Sequence, residues 1–596
     1  MREYAVPALV DVDHGSNTTD LVVKKAIRTP HAVAFRRKLD DQWHDVTCRE
    51  FLAEVTSVAK GLIAAGLQPG DRVGLMSRTR YEWTLTDFAI WFAGGVTVPI
   101  YETSSPEQVA WILGDSGAVA AVVETEAHAA AVSQVRERLP ALRDVWSIDA
   151  GSLAELVVAG GEVSDDDVEE RRTRADLDSL ATIIYTSGTT GRPKGCELTH
   201  GNFVVLTENT VARLAQVVSA PGASTLLFLP LAHVFARFIQ MLCVASGAVM
   251  GHTANVKRIT EDLAEFNPAF VLSVPRVFEK IYNSAEQKAE AEGKGRIFRQ
   301  AADVAVSYSK ALDDGGPSLV LRLQHALFDR LVYHRLRAAL GGRVRYAVSG
   351  GAPLGSRLSH FFRGIGLVVL EGYGLTETTA PTSVNRPDFI RIGTVGQPLP
   401  GTAARIADDG EILLRGSNVF RGYWNNPAAT AEALVDGWFH TGDLGEITDE
   451  GCLKITGRKK EILVTAGGKN VAPTVLEDRM RAHPLISQTM VVGDARPFVA
   501  ALVTLDAEML PAWLSNHGKP ALTAAEAAED PDVRAAVQEA VDDANRAVSK
   551  AESIRTFRIL DGDWTEESGH LTPSLKLKRS VVMKDFADEV NAVYGT

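Results

Sequence analysis

One segment, Tyr185-Thr186-Ser187-Gly188-Thr189-Thr190-Gly191-Arg192-Pro193-Lys194-Gly195, packs three glycines, four aliphatic hydroxyls and a lysine directly behind the apolar run ATIIY. Backbone N–H groups approach oxygens closely where no Cβ intervenes, so such a loop can cradle phosphate. It is not the GxxxxGK[ST] phosphate loop: Pro193 precedes Lys194 and Gly195 takes the Ser/Thr position, so the usual helix-capping geometry is not implied. Five further segments carry groups suited to a nucleotide or an anion: SGGAPL at 349–354, EGYGLTET at 371–378, GWFHTGD at 437–443, GRKKE at 457–461 and LTPSLKLKR at 571–579. Singly, SGGAP reads as a strand-to-helix turn, and RKK and KLKR read as solvated basic faces.

The elements that must position these groups follow a rhythm between residues 180 and 375. Short apolar runs (ATIIY, LLFL, FVLSV, RYAVSG, LVVL) each end in a Gly-, Pro- or polar-rich loop, and helical patterns separate most of them. Buried strands alternating with helices define α/β layers, whose ligands gather beyond the carboxyl ends of the strands. A helical stretch over about 276–340 interrupts the rhythm as an insertion. From Gly410 the texture turns to short strands and hairpins, followed by a βαβ-like region through MVVGD and FVAALVTL. The boundary falls near residues 458–460, giving a domain of residues 1–457 and one of 458–596. Asp530-Pro531 starts a helix whose face is Val533, Val537, Val541, Ala544 and Val548.

A chain of 596 residues is too long for one ordinary core, and two domains is the working count. The net charge of -13 disfavours a general nucleic-acid binder. The N-terminus lacks an apolar core of signal-peptide length, and the most apolar stretch, 226–250, is broken by Pro230, His233, Arg237 and Gln240; a cytoplasmic location is expected. Cys48, Cys196, Cys243 and Cys452 lie far apart with no CxxC spacing, which argues against structural zinc or a disulfide framework.

In their order and spacing, the six segments resemble the signature motifs of the adenylate-forming enzymes over roughly residues 50–580. DRLVYHRLRAALGGRVRYAVSGGAPL, LPLAHVFAR and the helical insertion resemble the long-chain fatty acyl-CoA synthetases in particular. The resemblance implies an α/β fold with a large multi-lobed N-terminal domain and a small mobile α+β C-terminal domain. It implies a reaction in two steps: a long-chain fatty acid and ATP give acyl-AMP and pyrophosphate, and CoA then takes the acyl group, with Mg²⁺ as the metal.

Site roles carried over from the resemblance are these. Thr186 and Glu377 would position Mg²⁺, and Lys194 with the amides of Ser187, Gly188, Thr189, Thr190 and Gly191 would hold the β- and γ-phosphates. Gly350, Gly351, Ala352 and Pro353 would form the adenine-side loop, and Glu371, Gly372, Tyr373, Gly374 and Thr376 the next nucleotide motif, with Tyr373 stacked on adenine. Asp443 would accept from ribose hydroxyls and Arg458 would add a ribose or phosphate contact. Lys576 would be the adenylation lysine, with Lys578 as the competing assignment, and Lys460 the hinge. Gly467 and Gly468 would let the pantetheine arm of CoA pass, with Lys469 nearby, and His233 falls at the acyl site. The rival readings are a fatty acyl-AMP ligase that serves a carrier protein, a luciferase-like oxygenase and a catalytically dead nucleotide-binding scaffold. A homodimer and peripheral contact with the inner membrane face stay open.

Overall fold

A computed structural model describes residues 1–186, 192–255, 258–572 and 575–595. Ser187, Gly188, Thr189, Thr190 and Gly191 of the phosphate-cradle reading therefore lie outside the described residues, as do Pro573 and Ser574.

The larger part of the chain is built on several separate sheets. A seven-stranded sheet runs Gly422–Tyr423, Lys194–Thr199, Leu180–Thr186, Val96–Ile100, Arg72–Met76, Ala120–Val123, Asp144–Ser147. Its central strands are parallel and buried on both faces, which is why VTVPI and LATIIYT read as continuous apolar runs. A five-stranded sheet orders Phe270–Ser273, Tyr346–Ser349 and Val368–Leu375 in parallel, then Ala380–Val384 and Gln397–Pro398 antiparallel. In a six-stranded sheet Trp438–Ile447 pairs with both Glu411–Gly416 and Leu453–Arg458.

The polar interruptions in the stretch 226–250 have a buried partner. Arg237 is fully buried; its Nε and Nη2 donate to Asp87 at 2.9 and 2.5 Å, and Gln240 donates to the same carboxylate at 3.1 Å. Burial of a charge is tolerable only when it is paired and hydrogen-bonded, as here. Among the described residues no helix is long and apolar enough to cross a membrane.

The insertion is helical: Pro275–Ala291, Gly295–Asp313, Leu319–Phe328, a π-helical turn Asp329–Tyr333, and His334–Ala339. Tyr282 makes edge contacts with Phe298 and Phe361, with ring centroids 5.4 and 4.8 Å apart. Gly364 lets two helices touch, since a Cβ there would lie 2.1 Å from the Ala305 carbonyl oxygen.

From Leu463 onward the chain forms its own apolar cores, around Leu476, Val537 and Val541 on one side of a sheet and Trp564 and Val582 on the other. The expected βαβ through MVVGD and FVAALVTL is corrected: Ile486–Val492 and Val499–Leu505 are an antiparallel hairpin. The parallel crossover comes one strand later, from Val499–Leu505 to Ile554–Ile559. Short fully apolar runs carry no direction, so sequence alone misplaced the crossover. The helix between them, Pro531–Asn545, starts as expected, with the Asp530 carboxylate accepting from the Asp532 and Val533 amides at 3.0 and 3.1 Å.

This smaller domain is docked on the larger one. Arg276 donates to Asp506 at 2.7 Å, Lys280 to Glu508 at 2.9 Å, and Thr103 to Glu566.

Candidate active site

Two sheets of the larger domain meet at Glu377. The chain leaves strand Val368–Leu375 through a single 3-10 turn, Thr376–Thr378, that carries Glu377. Its Oε1 accepts from the Tyr423 hydroxyl at 2.8 Å, and its carbonyl accepts from the Phe420 amide at 2.8 Å, so the edge of the seven-stranded sheet holds the turn. The next two residues, Thr379 and Ala380, have φ of 54° and 79°, a left-handed conformation unfavourable for a β-branched side chain. Asn418 keeps them there: its Nδ2 donates to the Thr378 carbonyl at 3.1 Å, and Thr379 Oγ1 donates to the Asn418 carbonyl at 2.8 Å. On the neighbouring sheet Thr186 lies opposite Lys194 across antiparallel strands. The buried Cys196 thiol, on the strand paired with that of Thr186, feels the charge of Glu377, which sets the carboxylate near this end of the sheet. Lys194 Nζ stands 4.9 Å from the centre of the Tyr423 ring.

The glycines of the SGGAPL and EGYGLTET loops have steric reasons. A Cβ on Gly374 would sit 1.5 Å from the Ala380 carbonyl oxygen, where the pairing of Val368–Leu375 with Ala380–Val384 shifts register. A Cβ on Gly350 would come within 3.1 Å of the Phe235 ring, and Gly351 has φ +85°. Gly372 lies one residue before Tyr373 at the same bend, 3.2 Å by the same measure from the Ser383 carbonyl oxygen. Glu371 uses both carboxylate oxygens locally, accepting from Leu354 N at 3.2 Å and Ser359 Oγ at 2.8 Å. It braces the SGGAPL loop, while Ala352 and Pro353 are exposed at its tip and Thr376 is half-buried.

Tyr373, Asp443 and Arg458 form one chain of contacts. The Tyr373 hydroxyl donates to Asp443 Oδ2 at 2.6 Å, and Asp443 Oδ1 lies 3.0 Å from Arg458 Nε. Burial and the adjacent Asp443 carboxylate push the Tyr373 hydroxyl well above its ordinary value, so it remains a donor.

Lys576 reaches this chain from the smaller domain. A tight turn presents it: Thr572 N donates to the Lys576 carbonyl at 2.8 Å, Lys576 N donates to Thr572 Oγ1 at 3.0 Å, and Leu575 has φ +60°. Arg579 ties the turn's end by ion pairs to Glu477 and, at 3.6 Å, to Glu461. Lys576 is solvent-accessible, yet protein surrounds it on most sides. That enclosure, followed by Arg458, pulls its ammonium below the usual lysine range, against Asp443 and Glu377. Lys578, by contrast, caps the helix Arg579–Asp585 and donates its amide to the His570 carbonyl at 2.8 Å.

His233 Nδ1 accepts from the Phe235 amide at 3.2 Å, capping helix Val234–Ser246 and leaving the proton on Nε2. Burial, with Lys576 near, pulls its imidazole down to about 3, so it is neutral at physiological pH.

The remaining sequence-predicted residues are not drawn into the cluster. The turn of Gly467 and Gly468 and the hairpin around it bond within the smaller domain: Thr465 N to the Lys469 carbonyl at 3.0 Å, and Lys469 Nζ to Glu552 at 3.3 Å. Lys460 is exposed between Lys459, which pairs with Asp409 and Glu411 of the larger domain, and Glu461, which faces Arg579. Sequence reasoning missed Tyr423, Asn418 and Cys196. Tyr423 and Asn418 act on partners 46 and 40 residues away in the chain, Cys196 sits on the strand facing that of Thr186, and none lies in a motif.

With that geometry in place, the similarities to known proteins are informative. Residues 22–424 match the AMP-binding enzymes and residues 460–596 match the AMP-binding enzyme C-terminal domain. The chain belongs to the AMP-binding enzyme family. Among its relatives is the long-chain-fatty-acid–CoA ligase FadD15 of Mycobacterium bovis, 53% identical with all of both chains covered. The long-chain-fatty-acid–CoA ligase ACSBG2 of Xenopus laevis is 30% identical over 94% of this chain and 81% of its own. The A domain of carboxylic acid reductase from Segniliparus rugosus, solved with AMP and a co-purified carboxylic acid, shares the fold with a TM-score of 0.75 at 20% identity, covering 98% of this chain and 95% of that one.

Proposed function

We propose that the chain is an ATP-dependent long-chain fatty acid–CoA ligase working through an acyl-adenylate. The observation that carries this reading is that Lys576, from the smaller domain, comes close enough to Arg458 at the boundary and to Asp443 and Glu377 of the larger domain to feel their charges. A carboxylate oxygen attacks the α-phosphorus of ATP, the bond to the β-phosphate oxygen breaks, and pyrophosphate leaves. Two anions meet in that step, and Lys576 supplies positive charge where it accumulates. Asp443 receives the ribose hydroxyls, held by Arg458 and the Tyr373 hydroxyl, and the Tyr373 ring faces adenine.

The oxygen groups of Thr186 and Glu377 suit Mg²⁺, a hard ion that keeps few protein ligands and takes phosphate oxygens for the rest. The nearness of the Glu377 charge to the strand pair that carries Thr186 supports that fit. When bound, Mg²⁺ supplies charge neutralisation for the phosphates. Lys194, poised over Tyr423, serves the β- and γ-phosphates.

In the second step the thiol sulfur of CoA attacks the acyl carbonyl, the bond to AMP breaks, and the thiol proton is lost. The domains divide at 457/458, and Lys460 is the pivot: its neighbour Lys459 is fixed to the larger domain, while Lys460 bonds to nothing else among the described residues. Turning there would withdraw Lys576 and bring Gly467, Gly468 and Lys469 toward the acyl group. The neutral His233 lies at the acyl end. The long-chain acid is taken in the cytoplasm, with peripheral contact at the inner face of the membrane.

The test is purified protein with ATP, Mg²⁺ and a series of fatty acids, with and without CoA, following AMP and acyl-CoA by mass spectrometry. CoA-dependent turnover of long-chain acids is expected. Adenylate without thioester would reassign the chain as an acyl-AMP ligase, and no adenylate with any acid would refute the reading.

A further inference from the structure

The helix Leu319–Phe328 turns its apolar side outward. Leu319, Val320, Leu323 and Leu327, with Leu331 of the π-helical turn that follows, are 77, 67, 74, 57 and 49% exposed, and no residue of the helix Leu319–Phe328 is buried. Steps of four residues drift only about 40° each around a helix, so these side chains form one stripe. Its orientation is fixed from behind. His325 stacks on Tyr308 with ring centroids 3.9 Å apart and donates from Nε2 to the Gly364 carbonyl at 2.6 Å, and the Tyr333 hydroxyl donates to the Ala301 carbonyl at 2.6 Å. A rigidly held, outward apolar stripe of this kind marks a contact surface.

The charge around it is opposite to that of the chain. Residues 315–345 hold six arginines and a single acidic residue, Asp329, in a protein of net charge -13. Arg337 neutralises Asp329 at 2.6 Å, and Arg322, Arg330 and Arg335 remain exposed beside the stripe. Leucines flanked by arginines match an anionic lipid interface, where apolar side chains enter the acyl boundary and guanidinium groups meet phosphate head groups. A second copy of the chain fits less well, because a self-complementary contact sets like arginines against one another.

We propose that this stripe seats the enzyme on an anionic bilayer. The inference deepens the membrane contact of the proposed function and rests on the long-chain reading, since such acids partition into bilayers and the seat would put the enzyme where its substrate is.

The test is cosedimentation of the full chain with vesicles of phosphatidylcholine alone or mixed equally with phosphatidylglycerol. Wild type should pellet with the mixed vesicles. Leu323→Ser/Leu327→Ser/Leu331→Ser should lower the partition at least about tenfold, and Arg322→Gln/Arg330→Gln should abolish the preference for phosphatidylglycerol. Adenylate formation from a short, water-soluble acid should be unchanged in both variants, which reports an intact fold. No binding by wild type, equal binding by both variants, or a light-scattering dimer that the serine variant dissolves would each overturn the proposal. Thioester formation without vesicle binding would refute this inference alone, whereas vesicle binding without adenylate from any acid would refute the ligase reading alone.

Discussion

Asp443 and Arg458 face each other directly across two antiparallel strands, with Oδ1 3.0 Å from Nε, and Arg458 is the last residue of its strand. The ladder that ends the larger domain thus also fixes a nearly buried carboxylate, and the first residues beyond it begin the passage to the smaller domain. Asp443→Asn would keep the shape and remove the charge that Arg458 and Tyr373 both use. A hydrogen bond to a charged group contributes about 1.5–3 kcal/mol, so the KM for ATP should rise roughly 10- to 100-fold. Steady-state kinetics at saturating acid checks this, and an unchanged KM would contradict the ribose assignment.

Tyr423 tests whether Glu377 must be held. Tyr423→Phe deletes the 2.8 Å donor to Oε1 and little else. The loss is about 1.5–3 kcal/mol, roughly 10- to 100-fold in adenylation, and a Mg²⁺ titration should show the variant needing more metal. Glu377→Gln should be far slower, and more Mg²⁺ should not rescue it.

Asp478 carries a pH dependence of stability. Burial, opposed by Arg481 and reinforced by Glu477 and Glu279, pushes its carboxyl up to about 7. Between about pH 4, where the unfolded carboxyl ionises, and pH 7, the folded chain keeps a proton that the unfolded chain has lost. Its contribution to stability is therefore present at low pH and lost as the pH rises through 7. Asp478→Asn lacks that proton, so its unfolding free energy relative to wild type should rise from pH 5 to pH 7.5, by at most about 1.4 kcal/mol per pH unit. A difference that does not change with pH would contradict the shifted carboxyl.

Gly374 offers a steric prediction. Gly374→Ala drives a Cβ into the Ala380 carbonyl, so the strand must open and the Glu377 turn with it. The variant should lose several kcal/mol of stability, on the scale of overpacking plus lost pairing, as measured by denaturant unfolding, and adenylation should fall even at temperatures where it stays folded.

Much of this site was legible because its groups are local: EGYGLTET, GWFHTGD and KLKR each hold their functional residues within a few positions. What stayed hidden is long-range or depends on facing. Tyr423 reaches Glu377 across 46 residues and Arg276 reaches Asp506 across 230, separations that no spacing rule detects. The outward leucine stripe was invisible for another reason. In LVLRLQHALFDRL apolar residues lie on more than one side, and periodicity does not say which side the rest of the protein covers. The hairpin of Ile486–Val492 and Val499–Leu505 was misread because fully buried strands look alike whichever way they run.

The most direct test of the account separates the two half-reactions in Lys576→Ala. ATP–pyrophosphate exchange driven by a long-chain acid should fall about 10²–10³-fold, the size expected for one well-placed donor to developing negative charge. Thioester formation from supplied acyl-adenylate and CoA should stay near the wild-type rate, and Lys578→Ala should leave both steps nearly intact. Equal loss in both half-reactions, or the larger loss in Lys578→Ala, would contradict a domain that delivers Lys576 for the first step alone.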